Sequence, residues 1–494
     1  MSQLVPPVHA RHDAVMTTTR QRLWSAGGAG AVAWAFYTWI GVARYSRGEY
    51  GNYDLGIFVQ AAHSWLTLGR PYSDIKGINL LGDHFSPITV LFALAYQMWA
   101  DPRALIVAQS LALALVVAIS TWSVARAGAR SVKVGGVALV ALLALPQVSA
   151  AGFQVHETAL GAPFVLLLAM SVVTGARRPA LVLTLAVLTI KEDAGLMVAG
   201  AGAAWFLIHR ERRMAAGLAG LGAVGFIVSN AVILWVNPGH QNPYLRYFTS
   251  GDTSGGGLTL EEIGPRLVPF VLYALLAGLR WSPLHLMALP GLAWRAVSSN
   301  ELYWSVHLHY DVITAPVALT VLICAIGPSR SQRVGRRILI AAMALSVLWG
   351  ASRVVSSQTP WTWRGGMSPH QVAAEQLARE VPSGTVIVAD QYLGPTLVDS
   401  HSVRMLSQTH DATGRFVLLQ PERDTLAAPS CAKRLFIADH DVVGRRADVV
   451  LVDLGEPRRF RLPACHEEAE RRAAEPRQGT RMTLPVVCRP SSAR

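Results

Sequence analysis

Apolar runs too long for the interior of a soluble protein recur along this chain from Leu23 to Ala351. Backbone polar groups cannot stay unpaired in hydrocarbon, so runs of this kind become membrane-crossing helices. Eleven candidate crossings stand out: 23–45, 104–126, 133–151, 158–174, 179–191, 194–209, 214–236, 267–280, 284–298, 312–328 and 336–353. A further apolar piece, 86–100, contains ITVLFALAYQMW and is ambiguous. Composition agrees. Of the 494 residues 52% are hydrophobic and only 15% charged, against about 25% charged in soluble domains, and the mean hydropathy is +0.34. The chain reads as an integral, multi-pass membrane protein.

A net charge of +13 suggests nucleic acid as a partner only until the arginines are located. They gather in short loops between apolar runs, as GARR (175–178), HRERR (209–213) and SRSQRVGRR (329–337). That is a topology signal, and no nucleic-acid partner is expected. Arg20 and Arg22 set the N-terminus in the cytoplasm, and the first span, with no cleavage site after it, is expected to target the chain to the cell membrane. If 86–100 does not fully cross, Arg126 to Lys133, Arg177–Arg178, Arg210 to Arg213, Arg280 and Arg330 to Arg337 all fall inside. The odd span count then carries everything after Ser356 outside. Asp54, His84, FQVHE (153–157), KED (191–193), the loop 237–266 and NELYWSVHLHYD (300–311) share that external side. The basic loops lie opposite.

The expected organisation is a cytoplasmic tail, 1–22, then a transmembrane helical domain, 23–355, whose external loop 46–85 carries an interfacial helix. An extracytoplasmic α/β domain follows over 356–475, and a Pro-rich, basic tail, 476–494, is expected to be disordered. Within the α/β domain, SPHQVAAEQLAREV (368–381) repeats apolar residues at helical spacing. PSGTVIVAD (382–390) and RADVVLVDL (446–454) read as buried strands. Of four cysteines, Cys324 lies in an apolar span as packing, while Cys431, Cys465 and Cys488 can form at most one bridge. No Cys/His spacing resembles a zinc site.

The stretch YDLGIFVQAAHSWLTL (53–68) has Leu55, Phe58, Ala62, Trp65 and Leu66 at three- and four-residue steps, with Gln60, His63, Ser64 and Thr67 opposite. It predicts a short amphipathic helix lying in the interface, Trp65 at headgroup depth. Asp54 falls at its N-cap position, and capping alone would account for it.

YDLGIFVQ, GDHFSP (82–87), FQVHE and KEDAGL, in that order, resemble the motifs of domain-of-unknown-function family 2079. Its members are multi-pass proteins resembling the GT-C membrane glycosyltransferases. The resemblance implies a mainly α, polytopic bundle of GT-C-like architecture with about eleven to thirteen spans and a small outer α/β domain. It also implies sugar transfer from a polyprenyl-phosphate donor in the bilayer to an extracytoplasmic acceptor: a cell-wall glycan, a glycolipid or a protein. By position Asp54 takes the role of the acid that serves such enzymes as general base. Many members carry a second acid nearby. Here only Glu49 and Asp74 offer themselves, so no cofactor is expected and a divalent metal is not indicated.

An inverting transfer needs a base at the acceptor hydroxyl and cationic or hydrogen-bonding partners for the leaving lipid phosphate. Lys191, His84, His156 and Arg246 are the candidates for the phosphate, with Glu157 beside His156 and Glu192 or Asp193 holding Lys191. Three charges between two apolar runs are costly in hydrocarbon unless they face a polar cavity, although a simple charged hairpin turn needs no function. In NELYWSVHLHYD, His309 and Tyr310 are substrate-binding candidates beside Glu301, His307, Asp311, Tyr303 and Trp304; an interfacial aromatic belt explains the rings equally well. His307 and His309 would bind metal only with ligands from elsewhere. GDTSGGG (251–257) lacks the ending of a phosphate loop and reads as a flexible loop. Two other classes stay open: a transporter or flippase of a lipid-linked or anionic substrate, which would need mid-bilayer charges and repeated halves, and a non-catalytic scaffold with an outer binding domain.

Overall fold

The computed structural model describes residues 8–127, 131–244, 260–326, 333–357 and 361–465, apart from 399, 409 and 426. Arg246, GDTSGGG, Cys488 and the segment 476–494 lie outside the described residues. The apolar runs are helices: α1 (Val8–Ser46), α4 (Pro102–Arg126), α5 (Ser131–Leu143), α6 (Leu145–Gly152), α7 (Glu157–Thr174), α8 (Arg177–Val187), α9 (Ala194–His209) and α10 (Arg212–Val236). Helices Leu260–Leu276, His285–Val297, Ala315–Ile326 and Arg333–Ser356 complete the bundle. Small residues let neighbours approach closely, as small-residue seams do in membranes. A Cβ on Gly195 of α9 would come within 2.5 Å of the Gly222 carbonyl of α10.

The helices are unequal in reach. Among the described residues α4, α7, α10 and 337–356 are each long and apolar enough to cross alone; α5 and α6, bent by 40° at their break, make a fifth if counted as one span. The expected crossing 179–191 is an eleven-residue helix, α8, about 16 Å long against about 30 Å of hydrocarbon. The ambiguous piece 86–100 is a turn and a nine-residue helix, α3 (Val90–Met98). It ends before Asp101, whose carboxylate caps α4 by accepting the Arg103 amide at 2.8 Å. It is too short to cross by itself.

Two short strands, β1 (Tyr72–Ser73) and β2 (Ile78–Asn79), pair antiparallel. The C-terminal part holds a five-stranded sheet in the order β4-β3-β5-β7-β6, with β3 (Val386–Ala389) parallel to β4 (Ser402–Met405) and β5 (Ala412–Leu419). β7 (Val449–Phe460) runs antiparallel to β5 and to β6 (Asp441–Arg446). Helix Pro369–Ala378 covers one face through Ala374 and Leu377. Helix Ser430–Ala438 covers the other through Ala432 and Phe436, and its Cys431 is bridged to Cys465. Cys324, expected as packing, is exposed on the surface of its helix.

Two expectations about 53–68 are corrected. The helix, α2 (Ile57–Leu68), begins three residues after Asp54, with Gly56 at its N-cap and no side-chain cap. Asp54 instead occupies a wide turn, Asn52–Gly56, closed by the Gly56 amide donating to the Gly51 carbonyl at 3.1 Å. The polar side of α2 is also not wholly exposed. Gln60 and Ser64 are buried; Gln60 donates to the Val403 carbonyl of β4 at 2.7 Å and accepts from the Ser73 hydroxyl at 2.8 Å. The edge of the C-terminal sheet covers a face that periodicity assigned to water.

Candidate active site

The turn before α2 aims Asp54. Its backbone is left-handed, φ 67° and ψ −89°, a conformation that costs a non-glycine residue about 1–3 kcal/mol and survives only where the surroundings impose it. The side chain so presented meets His156, with Asp54 Oδ1 and His156 Nε2 3.3 Å apart. His156 is held from behind by Gln109 of α4. That buried amide donates to the carbonyls of Ala150 and Gln154 and accepts the His156 backbone N–H at 2.8 Å. Gln154 in turn accepts the Gly51 amide at 3.4 Å, tying the FQVHE loop to the Asp54 turn.

From His156 a chain of charge leads inward. Glu157 Oε2 lies 3.6 Å from His156 Nδ1, and Glu157 Oε1 lies 3.8 Å from Lys191 Nζ. The expected holders of Lys191 were its neighbours Glu192 and Asp193; Glu157 has that place instead. The backbone of the turn sends the three KED side chains in different directions. Glu192 goes to His84, at 2.8 Å from Nδ1, and accepts the Phe85 amide at 3.3 Å. Asp193 accepts the Trp294 indole N–H at 3.0 Å. His84 stacks on Tyr244, ring centroids 4.1 Å apart, and the Tyr244 hydroxyl donates to Asp83, itself paired with Lys76. The GDHFSP and KED loops therefore touch directly.

The 300–311 loop divides. His309 is buried and stacks on His156 with centroids 3.2 Å apart. Tyr310 lies beside it, and together with Lys191, Asp193, Trp294 and Arg295 lines a narrow cavity of about 40 Å³. Asp311 is structural: it forms a buried bidentate pair with Arg295, which also donates to the Tyr303 carbonyl and so locks the loop. Glu301 and His307 are exposed, so His307 does not share the buried setting of His309. Asp54, His156, Glu157, Lys191, His309 and Tyr310 form one assembly, with the His84–Glu192 pair adjoining it through the KED turn. Asn52, Gln109, Gln154 and Arg295 are the residues that residue-by-residue reading passed over. Gln109 and Arg295 carried a signal, as an amide and a charge inside apolar spans, and Gln154 lay within the FQVHE motif.

Environment pushes the two stacked imidazoles apart. Burial works against charge on His156, but Asp54 and Glu157 outweigh it and raise its pKa to about 9. Burial, with the neighbouring His156 and Lys191 charges, holds His309 well below the usual histidine range. At neutral pH one ring is a cation and the other is not. Because His156 is raised, its stabilisation is complete below about pH 6.5 and is lost as pH climbs through 9; His309, lowered, stabilises above about pH 6.5 and loses this as pH falls. Thermal unfolding in nanodiscs is expected to show a stability maximum near pH 6.5. His156→Gln is expected to remove the alkaline limb, and a limb unchanged in that variant would count against the assignment.

Fold and site together define a polytopic helical membrane protein with a small α/β unit and one cluster of ionisable groups. In fold the chain resembles ArnT from Cupriavidus metallidurans in the apo state, with TM-score 0.50, 15% identity, and 85% of this chain and 96% of that chain covered. Crystals of ArnT bound to undecaprenyl phosphate give 0.49, 15%, 86% and 97%. Arabinofuranosyltransferase AftD from Mycobacteria gives 0.47 at 16% identity, over 86% of this chain and 41% of that one. At such identities the likeness is one of fold. Residues 46–254 match the family DUF2079, described as predicted membrane protein, and this segment holds Asp54, His84, His156, Glu157 and KED. No curated protein matches the chain.

Proposed function

We propose that the chain is a membrane glycosyltransferase that moves a sugar from a polyprenyl-phosphate carrier to an acceptor on the outer side of the cell membrane. The observation that carries this reading is a carboxylate in a strained turn, aimed at a buried cation, with Glu157 and then Lys191 of the KED turn behind it. Asp54 serves as general base, taking the proton of the acceptor hydroxyl as that oxygen attacks the anomeric carbon. The bond from that carbon to the carrier phosphate breaks, and the phosphate leaves with the electron pair. Lys191, His156 and His84 supply the positive charge and N–H donors for the leaving group, and Tyr310, which lines the cavity, offers a face for the sugar while His309 backs His156. Glu157 keeps Lys191 and His156 charged and oriented.

The narrow cavity beside Lys191 and Tyr310 is also lined by Ile190, Met197 and Ile313. A lipid phosphate reaching Lys191 from the bilayer meets such an apolar wall. The C-terminal sheet, with its disulfide, suits an oxidising compartment outside the cytoplasm. The proposed topology is accordingly an inner N-terminus and an outer C-terminal unit, with the shorter apolar helices also within the bilayer.

The test uses purified protein in liposomes with radiolabelled pentosyl- and hexosyl-phosphoryl polyprenols. Release of polyprenyl phosphate, with label in a covalent product, is the expected result. Label crossing the bilayer on an intact carrier, with no product, would instead establish a flippase and overturn the transferase reading.

A further inference from the structure

The strained Asp54 turn is not built by its own sequence. Asn52, fully buried, has three N–H donors, and all three go to the C-terminal α/β unit. Its backbone amide donates to the Gln391 carbonyl at 2.6 Å, and its side-chain Nδ2 donates to the carbonyls of Ala389 and Asp390 at 3.2 and 3.1 Å. These acceptors stand at the end of β3, the middle of the parallel trio in the sheet.

That strand end is itself anchored. The Asp390 carboxylate accepts from the Gln391 amide at 2.8 Å, from the Gln420 amide at 3.1 Å and from Lys433 Nζ at 2.5 Å; Lys433 and Asp390 are both shut away from solvent. The contact leaves no slack. A Cβ on Gly394 would sit 1.8 Å from Asn52 Oδ1, and one on Gly51 would sit 2.5 Å from the Gln391 side-chain nitrogen. At both places the close approach is to a glycine, and a side chain there would collide with the other unit.

We infer that the C-terminal α/β unit is a working part of the site: the Lys433–Asp390 anchor sets the β3 end, and Asn52, docked on that end, holds the turn that presents Asp54. Asn52 is a positioning residue that acts through Asp54. The α/β unit completes the membrane domain's base instead of serving only as a separate binding module. The inference rests on the function proposed above only for the use made of Asp54; the coupling between the two units stands by itself.

The experiment compares Asn52→Ala, Gly394→Ala and the double variant in the full chain, reconstituted in nanodiscs. Amide hydrogen exchange over residues 50–57 is expected to quicken at least about tenfold in each single variant, since the turn loses what orders it. Exchange in α7 and in β5 is expected to stay unchanged. With radiolabelled sugar-phosphoryl polyprenol, kcat is expected to fall about a hundredfold, the scale of a misplaced catalytic group, with KM for the lipid unchanged.

The double variant is expected to lose little more than Asn52→Ala alone, because removing the Asn52 side chain takes away the severe clash and leaves the Gly394→Ala methyl only Val403 Cγ1, at 2.9 Å, to displace. Unaltered exchange in both single variants, or losses that multiply in the double variant, would overturn the inference. So would faster exchange at 50–57 accompanied by a wild-type kcat. A silent Asp54→Asn would remove the general-base reading instead, and the exchange result would still decide whether the units are coupled.

Discussion

Asp54→Asn is expected to lower glycosyl transfer by about 10³-fold, within the range that a positioned acid or base contributes, while the protein still inserts and folds. The change is nearly isosteric. It removes the basic lone pair and the negative charge but leaves an oxygen to face His156 Nε2 across the present 3.3 Å. Transfer from labelled sugar-phosphoryl polyprenol, measured beside Cys431–Cys465 bridge formation as a sign of folding, checks both halves. Full activity would take Asp54 out of the mechanism. The substitution also deprives His156 of the carboxylate that does most to keep it charged, so its pKa should fall.

The second large effect is on stability. Glu157→Gln leaves the half-buried Lys191 ammonium without its ion-pair partner, and Lys191→Met leaves the buried Glu157 carboxylate with His156 alone. Breaking a buried pair from one side costs about 3–5 kcal/mol, much of it the desolvation of the partner left behind. The double variant, Glu157→Gln with Lys191→Met, removes both charges and is expected to recover part of that loss. Transfer is not expected to recover with it, because the cation proposed for the leaving phosphate is gone. Denaturant or thermal unfolding of the four proteins in nanodiscs gives the cycle directly. Single-variant losses below about 1 kcal/mol would mean that water reaches the pair, and the enclosed charge chain would not hold.

Both predictions turn on contacts of different legibility. That Asp54, His84, His156, Glu157 and Lys191 lie near one another was visible in the ordered motifs and in the topology expected from the arginines. Their pairing was not visible. Lys191 was expected to be held by the acids next to it, yet successive residues in a turn point apart, and the acid that meets it comes from the start of α7. Asp54 looked like a helix cap because it precedes a periodic apolar stretch. The helix starts later because Asp54 is held at φ 67° in the wide turn Asn52–Gly56, which docks through Asn52 on the C-terminal unit.

The same division runs through the fold. Length and spacing of apolar runs determined that the chain is a membrane-embedded helical bundle followed by a small α/β unit, since hydrophobic burial and backbone pairing are dictated locally, residue by residue. Which polar groups face one another was decided only by tertiary packing, because a contact such as Asn52 with Ala389 and Asp390 joins residues hundreds of positions apart. Periodicity reports on the nearest few neighbours. The strained turn, the split of KED and the covered face of α2 all depend on what arrives from elsewhere in the chain.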